Sequence, residues 1–240
     1  MPQSSKNPIT MNKQSYDKIA AEFSGTRGLV WQDIEYLFRF VNENDKILDA
    51  GCGNGRLLGN KKLKIKKENY FGIDFSENLI AEAQRKFPGY KFAMVDILNL
   101  SDKVNERFDV VFMISSLNHF PKEKHSAVIK SVKKVLAPGG KIFLVNWNLW
   151  NILRKKSVWR KSGKIKLPDF KKFKDVMTMW QSGQKQVPLY YYAFTKGEIS
   201  RLLRANGFRI VENFYSKKGE KTNLFFADNI VTRAVLVDKK

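Results

Sequence analysis

The sequence predicts an α/β protein whose mostly parallel sheet is covered by helices on both faces. Short apolar strands alternate with amphipathic helices from about residue 46 to residue 147, and such alternation is typical of a parallel sheet. The first strand leads directly into a glycine-rich turn, Gly51–Gly55. Two strand-like segments joined by a turn-rich connection end the chain. We therefore expect seven strands, of which the last two form an antiparallel pair.

The amino-terminal part is predicted to be a flexible arm, residues 1–13, because it is polar and contains two prolines. Residues 14–240 would then form one domain. A first helix is expected from Ser15 and a second near Trp31–Val41, since both segments carry apolar residues at helical spacing. The loop between them, Ser24–Gly28, would cover the ligand cleft.

The strands are short apolar runs bounded by turn residues. Phe108–Ile114 is the most apolar of them and is predicted to be central. A helix over Lys122–Leu136 should precede the fifth strand, and a later helix opens with a capping box at Thr195–Glu198 and closes at Asn206-Gly207. The predicted strands are Lys46–Ala50, Tyr70–Asp74, Lys91–Val95, Phe108–Ile114, Lys141–Trp147, Phe208–Tyr215 and Val231–Val237.

The charge balance predicts an anionic partner. The chain of 240 residues has 44 Lys and Arg against 23 Asp and Glu, a net charge of +21. A generally lysine-rich composition is the alternative explanation, but much of the charge is concentrated in a predicted insert at about 148–192, which favours nucleic acid. The basic residues of this block are Arg154, Lys155, Lys156, Arg160, Lys161, Lys164, Lys166, Lys171, Lys172 and Lys174.

Other classes of protein are disfavoured. The chain has one cysteine, Cys52, which excludes a disulfide within the chain and argues against a multi-cysteine metal site. We predict no metal. No apolar run reaches the ~18 residues of a membrane-spanning helix, and Met1–Asn12 lacks the apolar core of a secretory signal. The expected location is the cytoplasm, with no membrane partner.

The spacing of the glycine turn discriminates among nucleotide ligands. Glycines stand at 51, 53 and 55, and Asp49 precedes them. A phosphate loop would need Gly-Lys followed by Ser or Thr, and a dinucleotide turn would need its third glycine at the position of Arg56. The turn instead suits a ligand with a charged amino-acid tail and no phosphate.

Two further acids follow the next two strands. Asp74 is placed to accept hydrogen bonds from both hydroxyls of a ribose, and Asp96 from an adenine amine. Tyr16 is expected to cover the same ligand. The predicted cofactor site consists of Tyr16, Asp49, Gly51, Cys52, Gly53, Gly55, Asp74, Phe75, Asp96, Ile97 and Ser115.

The segment Leu48–Gly55 resembles the first motif of class I S-adenosylmethionine-dependent methyltransferases. That resemblance implies a Rossmann-like fold and S-adenosyl-L-methionine as the methyl donor. The methyl group is transferred from a positively charged sulfonium, and this charge disappears on transfer. Such an enzyme therefore acts mainly by positioning its substrate.

A closer resemblance covers most of the chain, from about Tyr16 to Asp238. It is to the tRNA wobble-uridine carboxymethyl methyltransferases, a family that also occurs fused to an AlkB-like dioxygenase. Two regions depart from the family pattern, Ile152–Phe173 and Ser216–Asn229. The matching segments are Tyr16–Ala20, Phe23–Arg27 with Trp31, Gly51–Leu58, Asp74 with Ser76, Asn78 and Leu79, Asn118–Phe120, and Tyr190–Phe194 with Gly197-Glu198.

This second resemblance implies methyl-ester formation on the carboxylate of a 5-carboxymethyl uridine in a tRNA anticodon. It agrees with the basic insert, since an anticodon stem-loop offers phosphates and unstacked bases. Eukaryotic members of the family work with a small zinc-binding activator subunit, which is therefore a further partner implied by the resemblance.

Four residues are the candidates for contact with the substrate. Arg27 would hold a carboxylate or phosphate in a bidentate fork, or is a surface arginine. His119 would orient the base or the carboxylate, or packs against Phe120; a general base is not needed, because the attacking carboxylate is already ionised. Trp147 and Tyr191 would stack on a flipped uridine, although strand alternation should bury at least one of the three consecutive tyrosines.

Two other functions stay open on the sequence. One is a methyltransferase for the carboxyl, nitrogen or oxygen atom of a small molecule, because this fold serves many substrates. The other is an RNA-binding protein whose cofactor site is vestigial. The intact Asp49, Asp74 and Asp96 argue against the latter.

Overall fold

The structure is a computed structural model that describes residues 7–26, 31–151, 174–182 and 184–237. Arg27 and the basic residues from Arg154 to Lys172 lie outside these ranges, so the predictions made for them are not addressed by the coordinates. Within the described residues, the α-helices are α1 (Pro8–Gly25), α2 (Gln32–Phe38), α3 (Glu77–Lys86), α4 (Leu100–Lys103), α5 (His125–Val135) and α6 (Lys196–Ala205).

Most strands belong to one large sheet of eight strands, in the order β3-β2-β1-β4-β5-β10-β8-β9. Strands β1 to β5 pair in parallel, whereas β10 lies antiparallel between β5 and β8. The strands are β1 (Ile47–Ala50), β2 (Tyr70–Asp74), β3 (Lys91–Met94), β4 (Phe108–Ile114), β5 (Leu136–Trp147), β6 (Asp175–Ser182), β7 (Lys185–Tyr192), β8 (Phe208–Lys217), β9 (Glu220–Thr222) and β10 (Asn229–Leu236).

The predicted α/β class and the central position of Phe108–Ile114 are confirmed. Alternate residues of β4 face opposite sides of the sheet. Val110 and Phe112 pack in the cluster that includes α2 and α3, whereas Val111 and Met113 pack in the cluster that includes α5 and α6. Helices therefore cover both faces, as expected for a central parallel strand.

The amino-terminal helix begins earlier than predicted. Asn7 caps α1 by accepting a hydrogen bond from the Ile9 amide at 3.0 Å, and Pro8 occupies the first turn, where its missing N–H is not needed. The Asn12 side chain is fully buried. The prediction of a flexible arm is therefore wrong for residues 8–13, because a capped helix that packs on the rest of the chain includes them.

Strands β6 and β7, which lie within the predicted insert, form an antiparallel hairpin separate from the large sheet. The large sheet also has one strand more than the seven predicted, because β9 pairs with the end of β8. The short turn between β8 and β9 contains Lys218 and Gly219, both with positive φ (54° and 84°), as in the type I′ turns that suit tight hairpins. The predicted helix caps are confirmed, since Ser76 caps α3 and a Thr195–Glu198 capping box opens α6.

Candidate active site

A large cavity lies beyond the carboxyl ends of the parallel strands, where ligands bind in open α/β sheets. Its volume is about 1090 Å³. Helix α1 and the hairpin β6–β7 contribute to its walls. Twelve of the predicted site residues line it: Tyr16, Gly51, Cys52, Gly53, Asp74, Phe75, Asp96, Ile97, Ser115, His119, Trp147 and Tyr191.

Two predicted cofactor residues lie behind the cavity wall. Asp49 is buried and accepts a hydrogen bond from the Tyr70 hydroxyl at 2.9 Å, and burial raises the pKa of Asp49 to about 7. Gly55 has a φ of 76°, and a Cβ there would lie 2.8 Å from the Phe87 ring. Both residues therefore support the glycine turn from beneath, and neither is among the residues that line the cavity.

The glycine turn is held tightly against the neighbouring strands. The Gly51 amide donates to the Ile73 carbonyl at 2.8 Å, with φ at 86°. A Cβ on Gly51 would lie 2.5 Å from the Ser116 Cβ, so a glycine is needed for this close approach. The Cys52 thiol is buried, which raises its pKa well above the ordinary value. We therefore expect Cys52 to be inert as a nucleophile.

Asp74 contributes a buried carboxylate to the cavity wall. The Gly53 amide donates to one of its oxygens at 3.0 Å and the Ser76 amide to the other at 2.9 Å. Burial raises the pKa of Asp74 to about 6 in spite of these bonds. A carboxylate fixed in this way retains free lone pairs for hydroxyl donors.

Other groups of the cavity also fit an adenosine cofactor with an amino-acid tail. The Asp96 carboxylate accepts from the Leu98 amide at 2.9 Å and caps the turn that contains Ile97. At Gly53, the position of a Cβ is open, with no atom within 4 Å. The buried hydroxyls of Ser115 and Ser116 have no hydrogen-bond partner among the described residues. Such unsatisfied groups in a cavity wall are typical of a ligand site.

His119 lies between α1 and β7. Its Nδ1 is 3.0 Å from the Tyr190 carbonyl, and its Nε2 is 3.0 Å from the Tyr16 hydroxyl. Burial lowers the pKa of His119 to about 4, so the ring is neutral near pH 7. In the tautomer with the proton on Nδ1, Nδ1–H donates to the Tyr190 carbonyl and Nε2 accepts from the Tyr16 hydroxyl.

An aromatic wall continues the cavity beyond His119. The Tyr191 ring lies 4.6 Å from the His119 ring and 5.2 Å from Trp147, centroid to centroid. Tyr190 and Tyr192 point the other way and are buried, with hydroxyls bonded to Asp175 and Glu198. The expected alternation is confirmed, and Tyr191 is the tyrosine of the three that lines the cavity.

Several cavity residues were missed by the sequence analysis. Asn12 precedes Tyr16 by one helical turn, a spacing that could have revealed it. Arg56 lies over the Trp31 ring, 4.2 Å from its centroid. Asp33 and Lys218 also line the cavity, and no short motif marked either of them.

The fold and this site together define the class of the protein: an α/β domain with a large cavity at its glycine turn. Residues 47–140 match the family model described as methyltransferase domain. Residues 47–140 of this chain are therefore similar to methyltransferase domains.

Relatives of known name are similar to this chain. One is the tRNA (carboxymethyluridine(34)-5-O)-methyltransferase of Saccharomyces cerevisiae, 33% identical over 136 residues that cover 56% of this chain and 47% of that protein. The chain thus matches about half the length of this relative. The protein of the same name from Schizosaccharomyces pombe is 27% identical over 85% of this chain and 91% of its own length.

A solved structure shows the same fold. It is a complex between the Haloferax volcanii Trm112 methyltransferase activator and a putative methyltransferase, with a TM-score of 0.68 and 15% identity, covering 95% of this chain and 99% of that chain. No helix in the ranges described above is both long and apolar enough to cross a membrane.

Proposed function

We propose that this chain uses S-adenosyl-L-methionine to esterify the carboxylate of 5-carboxymethyl uridine at the wobble position of tRNA. The observation that carries the proposal is one continuous cavity with two chemically different ends. The glycine turn and Asp74 line it together with Trp147 and Tyr191. We place the aromatic pair at the far end, because ring contacts run from Phe75, next to Asp74, through Tyr16 and His119 to Tyr191 and Trp147. His119 lies between them.

We assign the cofactor to the end of the cavity whose residues have suitable polar groups. Asp74 would accept from the ribose hydroxyls, Asp96 from the adenine amine, and the turn at Gly51–Gly53 would approach the amino-acid tail. Bound S-adenosyl-L-methionine supplies an electrophilic methyl group and loses its sulfonium charge on transfer. Tyr16 closes this end from α1, where its hydroxyl is fixed by His119.

The substrate end would position a flat, uncharged base and its carboxylate. The rings of Trp147 and Tyr191 lie nearly edge to face, with 69° between their planes, and offer an aromatic surface to a flipped uridine. His119 stays neutral and is already bonded at both nitrogens, so its role is to orient Tyr16 and the aromatic wall. No residue needs to remove a proton, because a carboxylate nucleophile is ionised near neutrality.

The partners follow from charge and from the relatives. A net charge of +21 suits a polyanion such as tRNA. Two relatives bear the name of a tRNA carboxymethyluridine methyltransferase. Because the Haloferax neighbour is in complex with an activator, we include a small activator subunit among the candidate partners. Arg27 is retained from the sequence as a candidate holder of the substrate carboxylate.

Methyl transfer from labelled S-adenosyl-L-methionine into tRNA tests this function directly. The tRNA should come from a strain that lacks the corresponding gene, and the labelled nucleoside should be identified by mass spectrometry. We expect a methyl ester of 5-carboxymethyl uridine, which mild alkali hydrolyses back to the acid. Label that resists alkali, or label in another nucleoside, would contradict the proposed acceptor.

Three variants complete this experiment. Asp74→Asn should abolish transfer through weaker cofactor binding, whereas Tyr191→Leu and Arg27→Ala should raise the KM for tRNA or lower kcat with cofactor binding intact. Addition of a purified activator subunit should be tested when the chain alone shows cofactor binding without transfer. Transfer to a small carboxylic acid, in preference to tRNA, would move the assignment to a small-molecule methyltransferase.

A further inference from the structure

The loop between β9 and β10 exposes two adjacent aromatic side chains beside the cavity. Phe225 is 58% exposed and Phe226 is 53% exposed. The same loop ends at Asp228, which lines the cavity together with Asn229, the first residue of β10. Two adjacent exposed phenylalanines, which precede these cavity residues in the same loop, are more informative than scattered surface apolar residues.

Hydrogen bonds hold this loop in place. The Asn223 side chain accepts from the amides of Phe225 at 3.0 Å and Phe226 at 3.3 Å. From the end of β5, the buried Asn148 amide donates to the Ala227 carbonyl at 3.0 Å. The aromatic pair is therefore presented by an organised loop, so little conformational entropy would be lost when it binds a partner.

The turn that precedes β9 presents positive charge on the same side of the cavity. Lys217 and Lys218 are exposed, and Lys218 lines the cavity. The buried Asp33 carboxylate accepts from the Gly219 amide at 2.7 Å and fixes the turn. Lys221 pairs with Glu212 at 3.3 Å, whereas Lys217 and Lys218 form no ion pair with a described residue.

We propose that residues 217–226, here called the β8–β10 lip, bind unpaired nucleotides that flank the methylated one. Lys217 and Lys218 contact the phosphates, and Phe225 and Phe226 stack on the bases. Cations beside aromatic side chains are the combination that binds single-stranded nucleic acid. The net charge of +21 favours RNA over a protein partner for this surface. The inference rests on the proposed tRNA function.

Direct RNA binding tests the aromatic half of the lip. A fluorescent anticodon stem-loop is titrated with the full chain and with Phe225→Ala/Phe226→Ala. Removal of each stacking ring should weaken binding about tenfold. Met94→Ala is the matched control, because Met94 is 53% exposed on β3, at the opposite edge of the sheet, and should change the affinity less than about twofold.

Salt dependence tests the cationic half. In Lys217→Gln/Lys218→Gln, the slope of log K against log salt should become shallower by about 1 to 2, since each phosphate bound by a lysine contributes roughly 0.7 to 1. Lys103→Gln/Lys130→Gln removes the same charge from exposed positions on α4 and α5 and should leave the slope nearly unchanged. Equal changes in the two double variants would show a general charge effect and overturn the assignment.

The binding assay requires no methyl transfer, so it can fail independently of the proposed function. If Phe225→Ala/Phe226→Ala lost RNA affinity while the unchanged chain showed no esterification, the result would support the role of the β8–β10 lip and contradict the proposed acceptor. If the chain esterified tRNA and Phe225→Ala/Phe226→Ala bound RNA as tightly as the unchanged chain, the result would support the proposed function and contradict the role of the β8–β10 lip. S-adenosylhomocysteine binding should remain unchanged in Phe225→Ala/Phe226→Ala and in the control variants, which shows that they are folded. For Lys217→Gln/Lys218→Gln, chemical denaturation is the folding control, because Lys218 lines the cavity.

Discussion

Asp74 shows how a single residue becomes suited to a cofactor. Its carboxylate is buried at the end of β2 and accepts amide hydrogen bonds at both oxygens. Burial disfavours the charged form and the amides favour it, and the balance places the pKa at about 6. The group is therefore ionised at pH 7 but close enough to its pKa for binding to depend on pH.

We predict that affinity for S-adenosylhomocysteine falls as the pH decreases below about 6. The ribose hydroxyls are donors, and a carboxyl group that gains a proton loses acceptor capacity. The ionised form binds better, so the dissociation constant should rise towards tenfold per pH unit below the pKa. Calorimetry between about pH 5 and pH 8 measures this range while His119, with a pKa of about 4, stays neutral.

Asp74→Asn is the control for that pH profile. It should bind the ligand more weakly and lose the decline below about pH 6. Asp49→Asn removes the other buried acid with a raised pKa, about 7, and should retain the decline because Asp49 is not among the residues that line the cavity. A flat profile in the unchanged chain would contradict the role of Asp74.

Asp49 shows what the sequence did not predict about a single residue, namely the direction of its side chain. The motif correctly placed an acid before the glycine turn, but the pattern does not encode which way the side chain points. In the structure, Asp49 contacts Tyr70, 21 residues further along the chain. Asp74 and Asp96 were easier to place, because residues that end parallel strands share one edge of the sheet.

At the scale of elements, α1 is fixed to the substrate side of the cavity by side chains that face β7. The Asn12 side chain accepts from the Tyr190 amide at 2.8 Å and donates to its carbonyl at 3.0 Å. The Ser15 hydroxyl donates to the Pro188 carbonyl at 2.7 Å. Tyr16 follows on the same helix and meets His119. This helix thus joins the cofactor side to the aromatic wall.

We predict that Asn12→Ala destabilises the chain by about 1–3 kcal/mol, because it leaves buried backbone groups without their side-chain partner. It should also raise the dissociation constant for S-adenosylhomocysteine, since Tyr16 loses its fixed position. Chemical denaturation and calorimetry measure the two effects separately.

Asn78→Ala is the matched control for that variant. The Asn78 amide also bonds to α1, through the Asp17 carbonyl at 2.8 Å, but at an exposed site. Water replaces such a bond, so the cost should stay below about 0.5 kcal/mol. If the two variants lost equal stability, the buried contact of Asn12 would have no special role.

The late predicted start of α1 has a physical explanation. Prolines and polar residues at the amino terminus suggested an arm, yet proline is well tolerated in a first helical turn. The buried face of α1 also includes two polar residues, Asn12 and Ser15. A periodicity based on apolar residues therefore does not detect the first turns.

At the scale of the molecule, the parallel part of the sheet was predictable because its strands are apolar and separated by helices. The hairpin β6–β7 was not. In β6, exposed and half-buried residues predominate, and β7 contains Pro188, a residue that argues against a strand. Both strands lie beside a run of basic residues, whose charge pattern dominated the interpretation. This hairpin is stabilised by packing against α1 beside the cavity. That contact is not visible in the sequence.

The net charge of +21 leads to a prediction for the whole molecule. Binding of tRNA should weaken steeply with salt, with log K falling linearly against log salt by roughly 0.7 to 0.9 per phosphate contact. Binding of S-adenosylhomocysteine should depend little on salt, because it rests on hydrogen bonds inside a cavity where screening is weak. Titrations of both ligands across one series of potassium chloride concentrations compare the two slopes in the same protein. Two shallow slopes would mean that the charge serves no polyanion, and the small-molecule acceptor would then become the better explanation of the cavity.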